Sequence, residues 1–149
     1  MPQFTMGSPA GLLTVTEADG AIVSLHFGGE QETPPQTPLL QEVQRQLTAY
    51  FSGARRAFDL PLAPRGTPFQ RAVWQALREI PYGETRSYGE IAAAIGKPNA
   101  CRAVGMACHV NPIAIVVPCH RVVGKSGTLT GYAAGLERKR VLLEWEQNR

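Results

Sequence analysis

The stretch Asn111-Pro-Ile-Ala-Ile-Val-Val-Pro-Cys-His-Arg-Val-Val-Gly124 constrains the fold more than any other part of this chain. Residues 113–117 form an unbroken run of β-branched and small apolar side chains, the pattern of a strand buried on both faces. Pro118 ends that run, because proline holds the residue before it extended. A thiol, an imidazole and a guanidinium follow at once in Cys119, His120 and Arg121, and are expected where the buried strand leaves the core. A cysteine is a nucleophile only as the thiolate, and a neighbouring base or positive charge favours that form. A lone cysteine is more commonly packed as a small hydrophobe. The rest of the run has to decide between the two.

The 149 residues suffice for one ordinary domain, or for a small appendage plus one domain. With 44% hydrophobic and 18% charged residues the composition is globular. No apolar run approaches membrane-spanning length, and the N-terminus lacks the basic start and apolar block of a signal peptide, so a cytoplasmic chain with no membrane partner is expected. Three cysteines, Cys101, Cys108 and Cys119, without a C-x-x-C pair, argue against a disulfide framework and against structural zinc; no metal is expected. Charge is uneven. Residues 1–60 hold three basic and six acidic side chains, a balance of −3, whereas residues 61–149 hold twelve and six, a balance of +6. A basic second part suits a polyanion partner, because each neutralised phosphate releases counterions.

Taken in order, residues 12–16 and 22–27 read as two strands of a hairpin, followed by a loop over 30–38. Thr37-Pro38 starts a helix whose Leu40, Val43, Leu47 and Phe51 share one face, and residues 58–62 offer a third strand. Pro61, Pro64 and Gly66 suggest a linker, dividing a small N-terminal α/β domain, residues 1–64, from a mainly helical domain, residues 65–149. Two capping boxes, Thr67 to Gln70 and Ser87 to Glu90, open helices, and Asn99 is positioned to cap another over 100–109. The last two of these helices make a helix-turn-helix. A final helix over 135–146 sets Leu136, Leu143 and Glu146 on one face. The fold class is therefore α/β of the α+β kind: a hairpin or small sheet with a helix, then a helical part holding the helix-turn-helix and the active-site strand.

Pro118-Cys119-His120-Arg121, with Asn111-Pro112 before it and Gly131-Tyr132 after it, resembles the signature of the O6-alkylguanine-DNA alkyltransferases, over roughly residues 69–146. The resemblance implies direct DNA repair: irreversible, single-turnover transfer of a methyl or larger alkyl group from O6-alkylguanine, with O4-alkylthymine as a further substrate, to Cys119. It implies a relay in which Glu146 orients His120 and His120 deprotonates the thiol through a bound water, while Asn111 holds the segment before the nucleophile. A base inside a duplex must be extruded before a thiol reaches it. By resemblance Arg102 intercalates in its place, Tyr88 crowds the adjacent phosphate and contacts the flipped guanine, and Ala100, Ala103 and Gly105 approach the minor groove closely. Tyr132 lines the guanine site, and backbone groups of Cys119, Val122 and Ala133 bond the base edge. Ala134 departs from many relatives, which have glycine there, and its methyl group is expected to narrow the range of bulky adducts accepted. The expected partner is double-stranded DNA carrying O6-alkylguanine, bound by a monomer, with no cofactor.

Two other readings remain open at this level. A non-catalytic relative that binds damaged guanine commonly has tryptophan in place of the nucleophile, so Cys119 speaks against it. A helix-turn-helix regulator would read an operator, yet residues 100–107 offer one arginine and almost no Asn, Gln, Lys or Ser to address base edges.

Overall fold

The computed structural model describes residues 1–148. Its elements are β1 (Gln3–Met6), β2 (Leu13–Ala18), β3 (Ala21–Phe27), α1 (Pro38–Phe51), α2 (Pro68–Leu77), β4 (Arg86–Ser87), α3 (Tyr88–Ala94), α4 (Cys101–His109), a 3-10 turn at Cys119–Arg121, β5 (Val122–Val123) and α5 (Leu136–Gln147). The class is α+β, a small antiparallel sheet plus helices, as expected. Two compact units result: Met1–Arg65 with Pro112–Val116, and Gly66–Asn111 with the chain from Val117 onward. The first unit takes in a segment from far along the chain, which a boundary drawn by composition near Pro64 did not include. Among the described residues no helix is long and apolar enough to cross a membrane.

The first unit is built on the sheet β1-β2-β3, antiparallel throughout. Asp19 and Gly20 join β2 to β3 with φ of 52° and 78°, the left-handed pair whose twist matches a two-residue hairpin. The third strand is β1, not residues 58–62; Leu62 makes only a one-residue parallel bridge to Ile22. Pro61 and Pro64 have no N–H to continue a ladder there. The α1 helix begins as its sequence dictates, with Thr37 Oγ1 accepting from the Leu40 N–H and Pro38 in the first turn, and it buries Leu40, Val43, Leu47 and Tyr50.

Residues 113–117 correct the main backbone expectation, that of an active-site strand. Only Ile113 pairs, in an isolated parallel bridge to Leu25. The Val116 N–H then donates to the Ala114 carbonyl at 2.7 Å around Ile115, whose φ is 69°, and the Cys119 N–H donates to the Val117 carbonyl at 2.8 Å around Pro118 at φ −82° and ψ 64°. These are two successive γ-turns. The apolar run reports burial correctly, with Ile113, Ile115 and Val117 each at most 1% exposed. Burial does not set the backbone, however, and a β-branched residue at positive φ is held there only by its surroundings.

In the second unit both capping boxes form with reciprocal bonds, at Thr67/Gln70 and Ser87/Glu90. The α4 helix starts one residue later than expected. The Ala100 N–H is taken by the Lys97 carbonyl in the preceding turn, so Ala100 rather than Asn99 is the cap and no side chain caps the helix. Gly96, at φ 77°, turns the chain between α3 and α4, completing the helix-turn-helix. Trp74, 2% exposed, donates its indole N–H to the Ala107 carbonyl at 2.8 Å and so fastens α2 to α4. Trp74→Phe, which orphans that carbonyl and leaves a void where the larger indole ring packed, is expected to cost about 2–4 kcal/mol in a denaturant titration.

Short parallel pairing of β4 with β5, Arg86 to Val122 and Ser87 to Val123, was not legible in the sequence. It joins the residue before Tyr88 to the strand leaving the Cys119–Arg121 turn. The α5 helix buries Lys139, Leu142, Leu143 and Glu146, while Leu136 is 50% exposed. Leu136 therefore does not belong to the face it was expected to share with Leu143 and Glu146; that face continues to Lys139 instead.

Candidate active site

Cys119 is 5% exposed and sits at the first position of the 3-10 turn. The Asn111 side chain spans the neck of the Pro112–Val116 excursion, its Nδ2 donating to the Val117 carbonyl at 2.9 Å and to Cys119 Sγ at 3.1 Å. His120 is fully buried; its Nε2 lies 2.8 Å from Glu146 Oε2. Glu146 is also gripped by Arg121, whose Nε donates to Oε1 at 2.8 Å and Nη2 to Oε2 at 2.9 Å. The third arm of Arg121, Nη1, donates to the Ile80 carbonyl at 2.7 Å. A thiol, an imidazole, a carboxylate and a guanidinium are thus gathered from one turn and one face of α5.

Their charge states follow from burial. Burial raises the Cys119 thiol pKa, opposed by the Asn111 bond, Lys139, its own backbone bond and Tyr132, and the net direction is up. Burial likewise lowers His120 against the pull of Glu146, with the Arg121 and Lys139 charges adding to the lowering. Burial opposes the charge on Glu146 too, but the bonds from His120 and Arg121 outweigh it and hold the carboxyl well below the usual range. The resting set is a neutral thiol, a neutral imidazole and a carboxylate. An ionised Glu146 accepts from the imidazole Nε2–H, which leaves Nδ1 as the basic nitrogen. Nδ1 is buried and has no hydrogen-bond partner among the described residues.

An open cleft of about 390 Å³ lies between the helix-turn-helix and the 124–131 loop, lined by Tyr88, Cys101, Arg102, Gly105, His109, Gly124, Thr130 and Gly131. Arg102 and Ala103 are exposed, so α4 is not a small-residue helix packed wholly inside the core. Its inner face is Val104, Ala107 and Cys108. Among the described residues, Ala100, Ala103, Cys119, Val122, Tyr132, Ala133 and Ala134 are not walls of this cleft. Tyr132 belongs to the thiol: among the described residues its buried hydroxyl has no partner at ordinary hydrogen-bond geometry, and burial first, then Cys119, raise its pKa well above the usual value. Val122 is fully buried, Ala133 exposed and Ala134 half-buried. Among the described residues no three His, Cys, Asp or Glu side chains gather as metal ligands.

Comparison with known proteins decides what this arrangement belongs to. Residues 68–148 match the model of the 6-O-methylguanine DNA methyltransferase DNA-binding domain, and residues 4–64 that of the ribonuclease-like domain of the same proteins. A methylated-DNA–protein-cysteine methyltransferase of Mycolicibacterium paratuberculosis is 52% identical over 96% of this chain and 90% of its own length. The chain belongs to the 6-O-methylguanine DNA methyltransferase family. Another methylated-DNA–protein-cysteine methyltransferase, from Methanosarcina barkeri, is 64% identical over 72% of this chain and 68% of its own. Among solved structures, the Mycobacterium tuberculosis O6-methylguanine methyltransferase has 49% identity and a TM-score of 0.89, covering 100% of this chain and 94% of that one. The same organism's protein in complex with DNA gives 50% identity and a TM-score of 0.90, covering 98% and 92%.

As a methyltransferase of this family, the chain joins Asn111 to Cys119 and His120 to Glu146 by direct hydrogen bonds, and sets Tyr88, Arg102 and Gly105 along one cleft. Three groups escaped the sequence reading. Arg121 was legible as a charge but not as the clamp on Glu146. Lys139 is fully buried, donates to the Thr130 carbonyl at 2.7 Å, and sits 6.0 Å from the Tyr88 ring centre. Its spacing of seven from Glu146 puts it on the same helical face, the one signal that could have found it. Thr130, whose hydroxyl donates to Tyr88 Oη at 3.0 Å, gave no signal, since only the fold brings two residues so far apart in sequence together.

Proposed function

We propose that the protein repairs O6-alkylguanine in duplex DNA by moving the alkyl group irreversibly onto Cys119. The observation that carries this is the Asn111 amide on Cys119 Sγ at 3.1 Å, with the following residue, His120, buried and paired to Glu146 at 2.8 Å. His120 takes the thiol proton through a bridging water, and Glu146 stabilises the imidazolium formed. The thiolate sulfur attacks the alkyl carbon, the carbon–O6 bond breaks, and the guanine anion left in the DNA takes up a proton, balancing the one that His120 removed from the thiol, which restores its pairing edge. A thioether does not leave again, so each chain reacts once. The test is stoichiometric. Excess duplex bearing labelled O6-methylguanine is expected to deposit one methyl group per chain and then stop, whereas repeated turnover would refute the reading.

Access requires base flipping, and the exposed Arg102 on α4 supplies the group that fills the gap, with Tyr88 at the start of α3 beside it in the cleft. The small exposed face of α4, including Ala103, suits close approach to a minor groove, with Ala100 and Gly105 flanking it. Residues 65–149 carry binding and transfer, and residues 1–64 form the small domain before them. Tyr132, Val122, Ala133 and Ala134 frame the base, Ala134 narrowing the alkyl pocket. O4-alkylthymine is a secondary substrate, and the protein works as a monomer on DNA in the cytoplasm without a cofactor. Arg102→Ala is expected to slow transfer about 10²-fold or more on paired O6-methylguanine, and much less on a single-stranded or mismatched one, in single-turnover assays, because the flipping cost of a few kcal/mol falls only on the duplex.

The regulator reading is disfavoured by the exposed surface of α4: Cys101, Arg102, Ala103, Met106 and His109 cannot compose a base-edge code. The non-catalytic reading is disfavoured by Cys119 itself.

A further inference from the structure

His120, Arg121 and Glu146 form a buried cluster, and the histidine is not the best-held member. Both oxygens of Glu146 are bound by Arg121, at 2.8 and 2.9 Å, and only Oε2 is shared with His120. Arg121 is 6% exposed, and its remaining arm is anchored on the Ile80 carbonyl at 2.7 Å, so the fork cannot rotate away without orphaning a buried group. Its guanidinium also lies 5.8 Å from the Tyr82 ring centre. We propose that Arg121 is a positioning residue for the transfer reaction, holding the Glu146 carboxylate in one pose and neutralising it, so that His120 rests uncharged with Nε2–H bound and Nδ1 free to act as the base. This rests on the relay proposed above.

The electrostatic argument is a matter of who shares the carboxylate. A carboxylate facing an imidazole alone stabilises the imidazolium, which is useless as a base. A carboxylate already paired with a guanidinium offers far less of that attraction while keeping its hydrogen-bond geometry. The other groups acting on His120 push the same way or are neutral at rest. From α5 Glu146 and Lys139 act on it and from its own turn Arg121; Cys119 is the residue before it in the chain, with the Tyr132 phenol acting on that thiol. With Glu146 cancelled by Arg121, the buried Lys139 charge is left to disfavour a second cation. The imidazolium is thereby reserved for the moment when negative charge grows on Cys119.

The sign of the pH effect follows. The folded His120 pKa is lowered, so the base form persists to lower pH than an ordinary histidine would allow, and removing the Arg121 charge lets Glu146 raise it. Single-turnover transfer from O6-methylguanine duplex is measured against pH for the natural protein, Arg121→Lys and Arg121→Gln, with thermal melts to establish folding. Arg121→Gln is expected to move the acid limb of the rate profile upward by about one pH unit or more, the size of a close charge effect. Arg121→Lys, which keeps the charge and loses the fork, is expected to leave the limb in place and lower the plateau about tenfold. An unmoved limb in Arg121→Gln, or an undiminished plateau in Arg121→Lys, overturns the proposal. Because Arg121→Gln breaks a buried ion pair, Arg121→Lys alone carries the test if the former does not fold. Imidazole nitrogen chemical shifts of His120 in DNA-free protein read the tautomer and charge directly. A failure of transfer in the natural protein would sink the repair reading, whereas an Nδ1–H tautomer or an imidazolium at neutral pH would sink this one.

Discussion

Cys119→Ala is expected to lose alkyl transfer altogether while still binding duplex DNA with near-natural affinity. Removing a nucleophile that acts as one unit with its base costs on the order of 10⁵–10⁶ in rate, which here means background. The two halves of this prediction rest on separate parts of the second unit. In the proposed reading binding draws on Arg102, Tyr88 and the face of α4, and among the described residues none of these makes a hydrogen bond to Sγ. Transfer draws on the sulfur and on the groups around it, Asn111 at 3.1 Å and the His120–Glu146 pair. An alanine at this 5%-exposed position removes one atom from a packed site and should disturb the turn little. The checks are intact mass after incubation with methylated duplex and a binding isotherm on the same DNA. Residual methylation of the variant would place the acceptor elsewhere, and a large loss of affinity would mean the sulfur is a structural member of the interface.

Glu146→Gln is expected to be damaging twice over, in rate and in stability. An amide cannot supply the charge that stabilises the imidazolium formed as the thiol ionises, nor enforce the tautomer with Nδ1 free; by analogy with loss of the carboxylate in serine-protease triads, transfer should slow by about 10³–10⁴. The same change leaves the buried Arg121 guanidinium without its counterion, and breaking a buried pair from one side costs about 3–5 kcal/mol. The pH dependence gives this prediction a second arm. Glu146 in the fold titrates well below its ordinary 4.5, held down by the His120 and Arg121 bonds against burial. A depressed carboxylate stabilises the fold above its unfolded pKa, and that contribution disappears as pH falls through the acid range toward the folded value. The natural protein should therefore lose melting temperature steadily below about pH 4.5, on that linkage, and Glu146→Gln should start lower and fall less. A variant that melts like the natural protein at neutral pH would show that the clamp is not part of what holds α5 in place.

Much of the site was readable from residue types and spacing because the local chemistry is self-contained. Capping boxes at Thr67/Gln70 and Ser87/Glu90 form wherever such residues open a helix, so α2 and α3 were legible from a few letters. Cys119 and His120 are adjacent in the chain, and Glu146 lies on the buried face of a helix of ordinary periodicity. Where a reading depended on which backbone a buried run adopts, it failed. Residues 113–117 are as buried as a central strand would be, yet they turn through Ile115 at φ 69°. The Asn99 cap failed for a similar reason, since a neighbouring turn had already taken the Ala100 N–H.

Sequence alone determined the family and singled out Cys119, His120 and Glu146 as the candidate residues, because these reside in short stretches whose chemistry needs few partners. Only the tertiary structure decided that Arg121 rather than His120 holds Glu146 most firmly, that Lys139 is an inward-facing cation, and that Thr130 steadies Tyr88. Each of those contacts joins groups with many residues between them. Whether two distant polar side chains meet depends on how packed elements exclude water from them, and a list of residues does not contain that information.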